Sequence, residues 1–314
     1  MSSPEPRHPG YRTLVDSLEP GADLIDFTSP PGGFSNSTRV VRLRTRAGSE
    51  LALVVRTYAA SDYDPPAARA RREHDVLTGL QAHGVPAPRP LLLDVDGVHL
   101  GVPTLVTSYL VGRHRVDQRR PHQWASATAA TLARIHAVPC SAAGEHLMNG
   151  RYEATWFARP DAAPPFLAAS AVGEHVWSAA REALGGARPV APVLVHLDYW
   201  AGNLLWKGDE VAAVLDWEEA SCGDPGIDVA YARLELCLLG VPEAADTFLA
   251  TYEAEAGRQV HHLGLWELAA AARALPDPAG WVAEWVELGA VSCNDAEAWA
   301  RLERFVDEAA RRSG

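Results

Sequence analysis

VLVHLDYWAGNLLWKGDEVAAVLDWEEA, residues 193–220, sets four polar side chains, His196, Asp198, Asn203 and Asp216, around two short apolar runs. The runs, 204–206 and 211–215, flank Lys207-Gly208-Asp209-Glu210 and together read as a β-hairpin. Asn203 directly precedes the first run and Asp216 directly follows the second, so both fall at the open end of the hairpin. Paired strands run about 4.8 Å apart. Two oxygens that share a magnesium at about 2.1 Å each lie within roughly 4 Å of one another, so one cation can bridge them. Asp198, on the loop that leads into the first strand, is then placed to accept a proton from a hydroxyl held near a metal-bound phosphate. Any one of these residues alone is better read as a turn former or a strand cap. All four in this order are not.

Upstream, residues 11–18 suggest a short helix, and 22–27, 38–45 and 51–58 read as strands separated by Gly-rich and Gly-Ser turns. A helix is signalled over 66–83, with Pro66 at its start, Val76, Leu77 and Leu80 on one face and Gly84 as a stop. Strands at 89–94 and 103–109 complete an antiparallel sheet with one helix. Glu73 lies three, four and seven residues before Val76, Leu77 and Leu80, which puts its carboxylate on the apolar face. A carboxylate there is costly unless paired, and Arg56 on the preceding strand is the natural partner; the alternative is a solvated Glu73 among Arg69, Arg71 and Arg72. Gly32-Gly33-Phe34-Ser35-Asn36-Ser37 is a flexible turn whose N–H groups suit triphosphate oxygens, although an ordinary hairpin turn reads the same. It is neither a Walker loop nor a dinucleotide fingerprint.

Downstream, WASATAATLARIHAV from Trp124 is helical in pattern, as are segments beginning near Glu243, Trp266, Trp281 and Asp295, so this part is mainly α with the hairpin as its one β interruption. Residues 159–170, rich in Pro and Ala, read as a loop or insertion. There is no internal repeat.

A chain of 314 residues, 47% hydrophobic, has ample material for a core and accommodates either one large domain or two lobes. Its net charge of -12 opposes nucleic-acid binding, which needs clustered Lys and Arg. Cys140, Cys222, Cys237 and Cys293 lack CxxC spacing and are read as reduced core fillers in a cytoplasmic chain. The twelve scattered histidines show no zinc-like spacing. Residues 1–10 carry three prolines and no apolar run, which excludes a conventional signal peptide, and no segment is apolar enough to span a bilayer.

HLDYWAGN followed by LDWEEASCGDPGIDVA resembles the aminoglycoside phosphotransferase and choline kinase-like family, distant relatives of protein kinases. The match runs over roughly residues 20–240 in the family's order. The resemblance implies an α+β, bilobal, protein-kinase-like fold. Its N-lobe (11–110, after a disordered 1–10) is a small antiparallel β-sheet with one helix, and its larger C-lobe (111–314) is mainly α-helical and carries catalysis and substrate binding. It implies a magnesium-dependent kinase that moves the γ-phosphate of ATP or GTP to a small-molecule hydroxyl, an antibiotic such as an aminoglycoside or, alternatively, choline, a sugar or an amino acid. A non-catalytic nucleotide-binding pseudokinase would need a broken base or metal position, and none is visible.

By position Asp198 resembles the catalytic base, His196 the residue that opens the catalytic loop, and Asn203 and Asp216 the magnesium ligands. Gly33, Ser35 and Asn36 resemble the phosphate-covering loop, Arg56 the phosphate-contacting cation and Glu73 the glutamate that orients it. Ser108, Tyr109 and Leu110 fit the hinge whose backbone meets the purine. Asp224 resembles a helix N-cap and Asp228 a buried aspartate that bonds the catalytic-loop backbone; both are support residues. The sequence departs from better-known antibiotic kinases by Arg56 in place of lysine, and by Leu197 and Trp200 in place of Gly and Pro. Glu218, Glu219 and Glu235 are candidates to meet a cationic substrate or, equally, solvated helix faces. No nucleic-acid or membrane partner is expected, and the chain is expected to be a monomer or weak dimer.

Overall fold

A computed structural model of the chain describes residues 9–29, 37–61 and 64–313, with the backbone alone for Ser37. The chain divides into two compact units. The first comprises Met1–Val111 with Ala142–His146 and Leu215–Glu219, and the second comprises Gly112–Ser141, Leu147–Val214 and Ala220–Gly314.

In the first unit, β1 (Asp23–Thr28), β2 (Ser37–Arg44), β3 (Glu50–Thr57), β4 (Pro90–Asp94) and β5 (Thr104–Ser108) form one antiparallel sheet in the order β1-β2-β3-β5-β4. Period-two alternation sorts β3: Leu53, Val55 and Thr57 are buried, while Arg56 projects from the other face. The helix α1 (Gly10–Leu18) lays Tyr11, Leu14 and Val15, spaced at i, i+3 and i+4, on the face formed by Val41, Leu43, Val55 and Val106. Gly10 already opens this helix, and the rest of the expected disordered start, up to residue 8, lies outside the described residues. The helix α2 (Pro66–Ala82) starts with proline at N1 and stops before Gly84, which has φ +66°. It buries Val76, Leu77 and Leu80 together with Glu73.

The second unit is mainly helical: α3 (Pro121–His136), α4 (Gly150–Thr155), α5 (Pro165–Ala168), α6 (Ala171–Gly186), α7 (Gly226–Leu238), α8 (Pro242–Ala256), α9 (Leu263–Ala274), α10 (Pro278–Val286) and α11 (Asp295–Ser313). The helix α7 is buried on nearly every side, with α8, α9 and α11 packed around it. A helix so enclosed must satisfy its polar groups internally. Arg233 does so with Glu267, at 2.9 Å. Gly226 at its start lets the Trp266 ring lie against the backbone, since a Cβ there would sit 2.2 Å from Trp266 Cδ1.

The hairpin is present as β8 (Leu204–Lys207) and β9 (Glu210–Val214), with Gly208 at φ +62° in the turn. It is not the only β structure in this part of the chain. A small sheet of β6 (Met148–Asn149), β10 (Ser221–Gly223) and β7 (Val193–Val195) joins three segments too short to show alternation. Residues 159–170, read as a loop, include α5. The cysteines also differ from expectation: Cys140 and Cys222 form a disulfide, while Cys237 and Cys293 are free thiols. A bridge across 82 residues leaves no local spacing signal.

Candidate active site

In the first unit, Arg56 is the hub of a partly buried charge cluster. Its Nη1 donates to Glu73 Oε1 at 3.3 Å, and its Nη2 lies 2.6 Å from Asp216 Oδ1 and 3.4 Å from Glu218 Oε1. The Tyr58 hydroxyl donates to Glu73 Oε2 at 2.5 Å, and Arg69 donates to Glu218 Oε2 at 3.1 Å. Glu73 is therefore buried and paired with Arg56, not solvated among the arginines. Three carboxylates share two guanidinium groups here, and burial pushes Glu73 up to about 7 against the pull of Arg56. Asp216, two residues beyond β9, holds a left-handed backbone, φ +63°. At the end of β5, the Ser108 hydroxyl accepts from the Arg89 amide at 2.9 Å, and Tyr109 beyond it is exposed. Leu110 follows in the same segment. Gly33, Ser35 and Asn36 lie outside the described residues.

In the second unit, residues 196–203 form a loop between β7 and β8 that ends in a 3-10 turn, Ala201–Asn203. Asp228 on α7, fully buried, ties down its start: Oδ2 accepts the His196 amide at 2.7 Å and Oδ1 the Leu197 amide at 2.8 Å, while His136 Nε2 lies 3.1 Å from Oδ2. Against the cost of burial, the hydrogen bond from His136, the charges nearby and the His196 amide hold this carboxyl below its ordinary range. The clamp holds Leu197 at φ +69°, a conformation that costs a β-carbon-bearing residue roughly 1–2 kcal/mol. Asp224, one residue before the N-cap Pro225, accepts the Gly226 amide at 2.8 Å, so it caps α7 from one position earlier than a regular N-cap.

Asp198 is surrounded by donors. Oδ1 accepts from the Tyr231 hydroxyl at 2.8 Å and lies 3.6 Å from Arg273 Nη2, and Oδ2 accepts from Trp200 Nε1 at 3.2 Å and Asn203 Nδ2 at 2.9 Å. The same Nδ2 also reaches the Asp198 carbonyl at 2.9 Å. His196, buried, accepts the Asp198 amide through Nδ1 at 3.2 Å.

Two residues around this loop, Tyr231 and Arg273, were absent from the sequence reading, and a third, Glu235, has a different place from the one expected. Tyr231 and Arg273 touch Asp198, and Arg273 Nη1 also donates to the Leu197 carbonyl at 2.7 Å. Glu235, considered above only as a substrate carboxylate or a solvated face, is neither: it is buried and accepts the Ala201 amide at 3.0 Å. Burial, the leading cause, and the nearby Asp198 charge push it up to about 8 despite that bond. Glu218 is likewise committed to arginines; of the three glutamates only Glu219 is exposed.

A five-stranded antiparallel sheet with an Arg–Glu pair, and a helical unit whose Asp-Asn loop leads into a hairpin, define an α+β protein-kinase-like fold. Among solved structures, the chain is similar to a macrolide 2'-phosphotransferase from Brachybacterium faecium, with TM-score 0.59 and 20% identity over 94% of this chain and 96% of that one. It is also similar to a thermostable mutant of aminoglycoside phosphotransferase APH(4)-Ia solved with ADP and hygromycin B, with TM-score 0.60 and 15% identity over 96% and 97% of the two chains. Curated relatives include acyl-CoA dehydrogenase family member 10 of Mus musculus, 31% identical over 68% of this chain, and homoserine kinase of Methylobacillus glycogenes, 28% identical over 52%. The match spans 20% of the length of the first and 52% of the second. The profile of the phosphotransferase enzyme family (APH) matches residues 26–263. The chain belongs to that family.

Proposed function

We propose that this chain is a small-molecule kinase that moves the γ-phosphoryl group of ATP or GTP to an acceptor hydroxyl, with Asp198 as the base. The observation that carries this reading is the setting of Asp198. Its backbone loop is clamped by Asp228, and its two oxygens are oriented by Tyr231, Trp200 and Asn203. A carboxylate held at a fixed angle can align a hydroxyl and accept its proton as the phosphoryl group departs from the nucleotide.

The donor set suits magnesium, which takes oxygen ligands from one or two side chains and leaves the rest to water and phosphate. Asn203 directs its Nδ2 to Asp198, which would leave its side-chain oxygen for a cation. Asp216 brings a carboxylate that is one-third exposed. These two residues would hold the ion, which supplies charge neutralisation at the phosphates. Arg56 would contact phosphate oxygens with Glu73 fixing its guanidinium; Ser35, Asn36 and the backbone at Gly33 would cover them, and the backbone of Ser108, Tyr109 and Leu110 would meet the base. ADP in the APH(4)-Ia complex supports a nucleotide donor. The homoserine kinase relative favours, as a second reading, a metabolic acceptor such as an amino acid over an antibiotic. Among the described residues no helix is long and apolar enough to cross a membrane. A cytoplasmic location, where nucleotide triphosphate is abundant, and a monomer or weak dimer complete the reading.

Asp198→Asn tests it: turnover should fall by about 10²–10⁴, while the rise in melting temperature with nucleotide and magnesium persists. Near-normal phosphotransfer by this variant would remove Asp198 from the mechanism.

A further inference from the structure

The second unit contains a cavity of about 170 Å³ against the Asp198 loop. Trp156, Phe157, Phe166 and Trp266 line it together with three alanines of α9. Leu197, Tyr231 and Arg273 form part of its wall, the first adjacent in sequence to Asp198 and the other two touching it. The charged residues on its lining are one glutamate, Glu153, and one arginine, Arg273, and the arginine is the one beside Asp198.

From this lining we infer that the acceptor is an alcohol with an uncharged, apolar body of about one ring in size, not a polycationic aminosugar. The inference rests on the kinase reading above. An apolar cavity of about 150 Å³ holds benzene, so one ring or a short branched chain fills this one. Ammonium groups entering it would lose hydration against aromatic walls and would meet a guanidinium that cannot be neutralised. The carboxylates expected to greet them, Glu218 and Glu235, are spent on Arg69, Arg56 and the Ala201 amide. The hydroxyl of an alcohol seated here would reach Asp198 Oδ1 by taking the place of the Tyr231 hydroxyl.

The test uses the full chain, ATP and magnesium, with 2-phenylethanol and kanamycin as acceptors and Trp156→Glu as the variant. Trp156 stands at the rim, 48% exposed, so this change should leave the circular dichroism intact. The inference expects phosphorylation of 2-phenylethanol with kcat/KM at least about tenfold above that for kanamycin, and a loss of about tenfold in the variant, within the range over which apolar pockets discriminate. Preference for kanamycin, or an unaltered kcat/KM in the variant, would overturn it while leaving the kinase reading intact. If neither acceptor gains a phosphoryl group, saturation-transfer NMR decides. Binding of 2-phenylethanol that Trp156→Glu weakens supports the apolar pocket, and no binding overturns it; the nucleotide-dependent thermal shift judges the kinase reading separately.

Discussion

Asp228→Asn changes one oxygen to an amide and should break the loop that carries Asp198. In the native site the carboxylate takes two backbone amides at 2.7 and 2.8 Å and approaches a histidine nitrogen at 3.1 Å, all without solvent. Asparagine offers one carbonyl oxygen. If that oxygen stays at the Oδ2 position, it keeps His196 and His136, and the new NH₂ then faces the Leu197 N–H. One charge-assisted bond is lost and a buried donor is left facing a donor, at roughly 1.5–3 and 1–3 kcal/mol. We expect a total loss of about 3–5 kcal/mol, comparable to breaking a buried ion pair. At about 2–4 °C per kcal/mol, the melting temperature should drop on the order of 10 °C.

The damage should also reach catalysis, because the orphaned amide is that of Leu197, whose left-handed backbone the clamp maintains. A displacement of Asp198 by about 1 Å costs on the order of 10²-fold in rate. A pH series adds an independent check. The folded pKa of Asp228 lies below its ordinary 3.8, so its stabilisation is present above that value and is lost as pH falls through the folded one. The gap between the melting curves of wild type and variant should therefore narrow in strong acid. A variant that melts within 2 °C of wild type, by the same roughly 2–4 °C per kcal/mol conversion, and retains most of its kcat, would refute the clamp.

Glu235→Gln keeps an acceptor for the Ala201 amide and removes a titration. Because the folded pKa, about 8, is raised from 4.5, wild-type stability is full below 4.5 and declines up to 8; the variant should match wild type below pH 4.5 and exceed it by up to about 5 kcal/mol in alkali, as thermal melts across pH would read. Arg56→Lys replaces a guanidinium that reaches Glu73, Asp216 and Glu218 with a single ammonium, and should lower stability by about 3 kcal/mol in chemical denaturation. Alkylation of the unfolded, unreduced chain should label Cys237 and Cys293 but not Cys140 or Cys222. Reduction should lower stability by roughly 2–4 kcal/mol.

The sheet, α2 and the hairpin were legible because each carries its own period: alternation in the strands, and the 73, 76, 77, 80 spacing in α2. The pairing of Arg56 with Glu73 was one of two readings open in the sequence; the cost of an unpaired carboxylate on an apolar face favoured it over a Glu73 solvated among Arg69, Arg71 and Arg72. What stayed hidden depends on distant meetings. The short strands β6, β7 and β10 exist only by pairing with one another, and Cys140 meets Cys222 of β10 from 82 residues away. The aromatic cavity assembles Phe166, from the stretch 159–170 that reads as loop, and Trp156, just before it, with Trp266 from a helix a hundred residues on, and no local pattern links them.

One missed feature did have a signal. Asp228, Tyr231 and Glu235 stand at i, i+3 and i+7 on α7 and so share one face. At 1.5 Å per residue they form rungs about 4.5 and 10.5 Å along the axis. The loop runs past them in order: His196 and Leu197 amides on Asp228, the Asp198 carboxylate on Tyr231, the Ala201 amide on Glu235. The three rungs also differ in charge. Asp228 is held ionised by its donors, and Glu235 is held neutral at pH 7 by burial and by Asp198 itself. A second ionised carboxylate at the Glu235 rung would repel Asp198; a neutral one grips the loop and leaves the Asp198 charge unopposed. The same helix face thus fixes where the loop lies and keeps Asp198 the anion nearest the incoming hydroxyl in our reading.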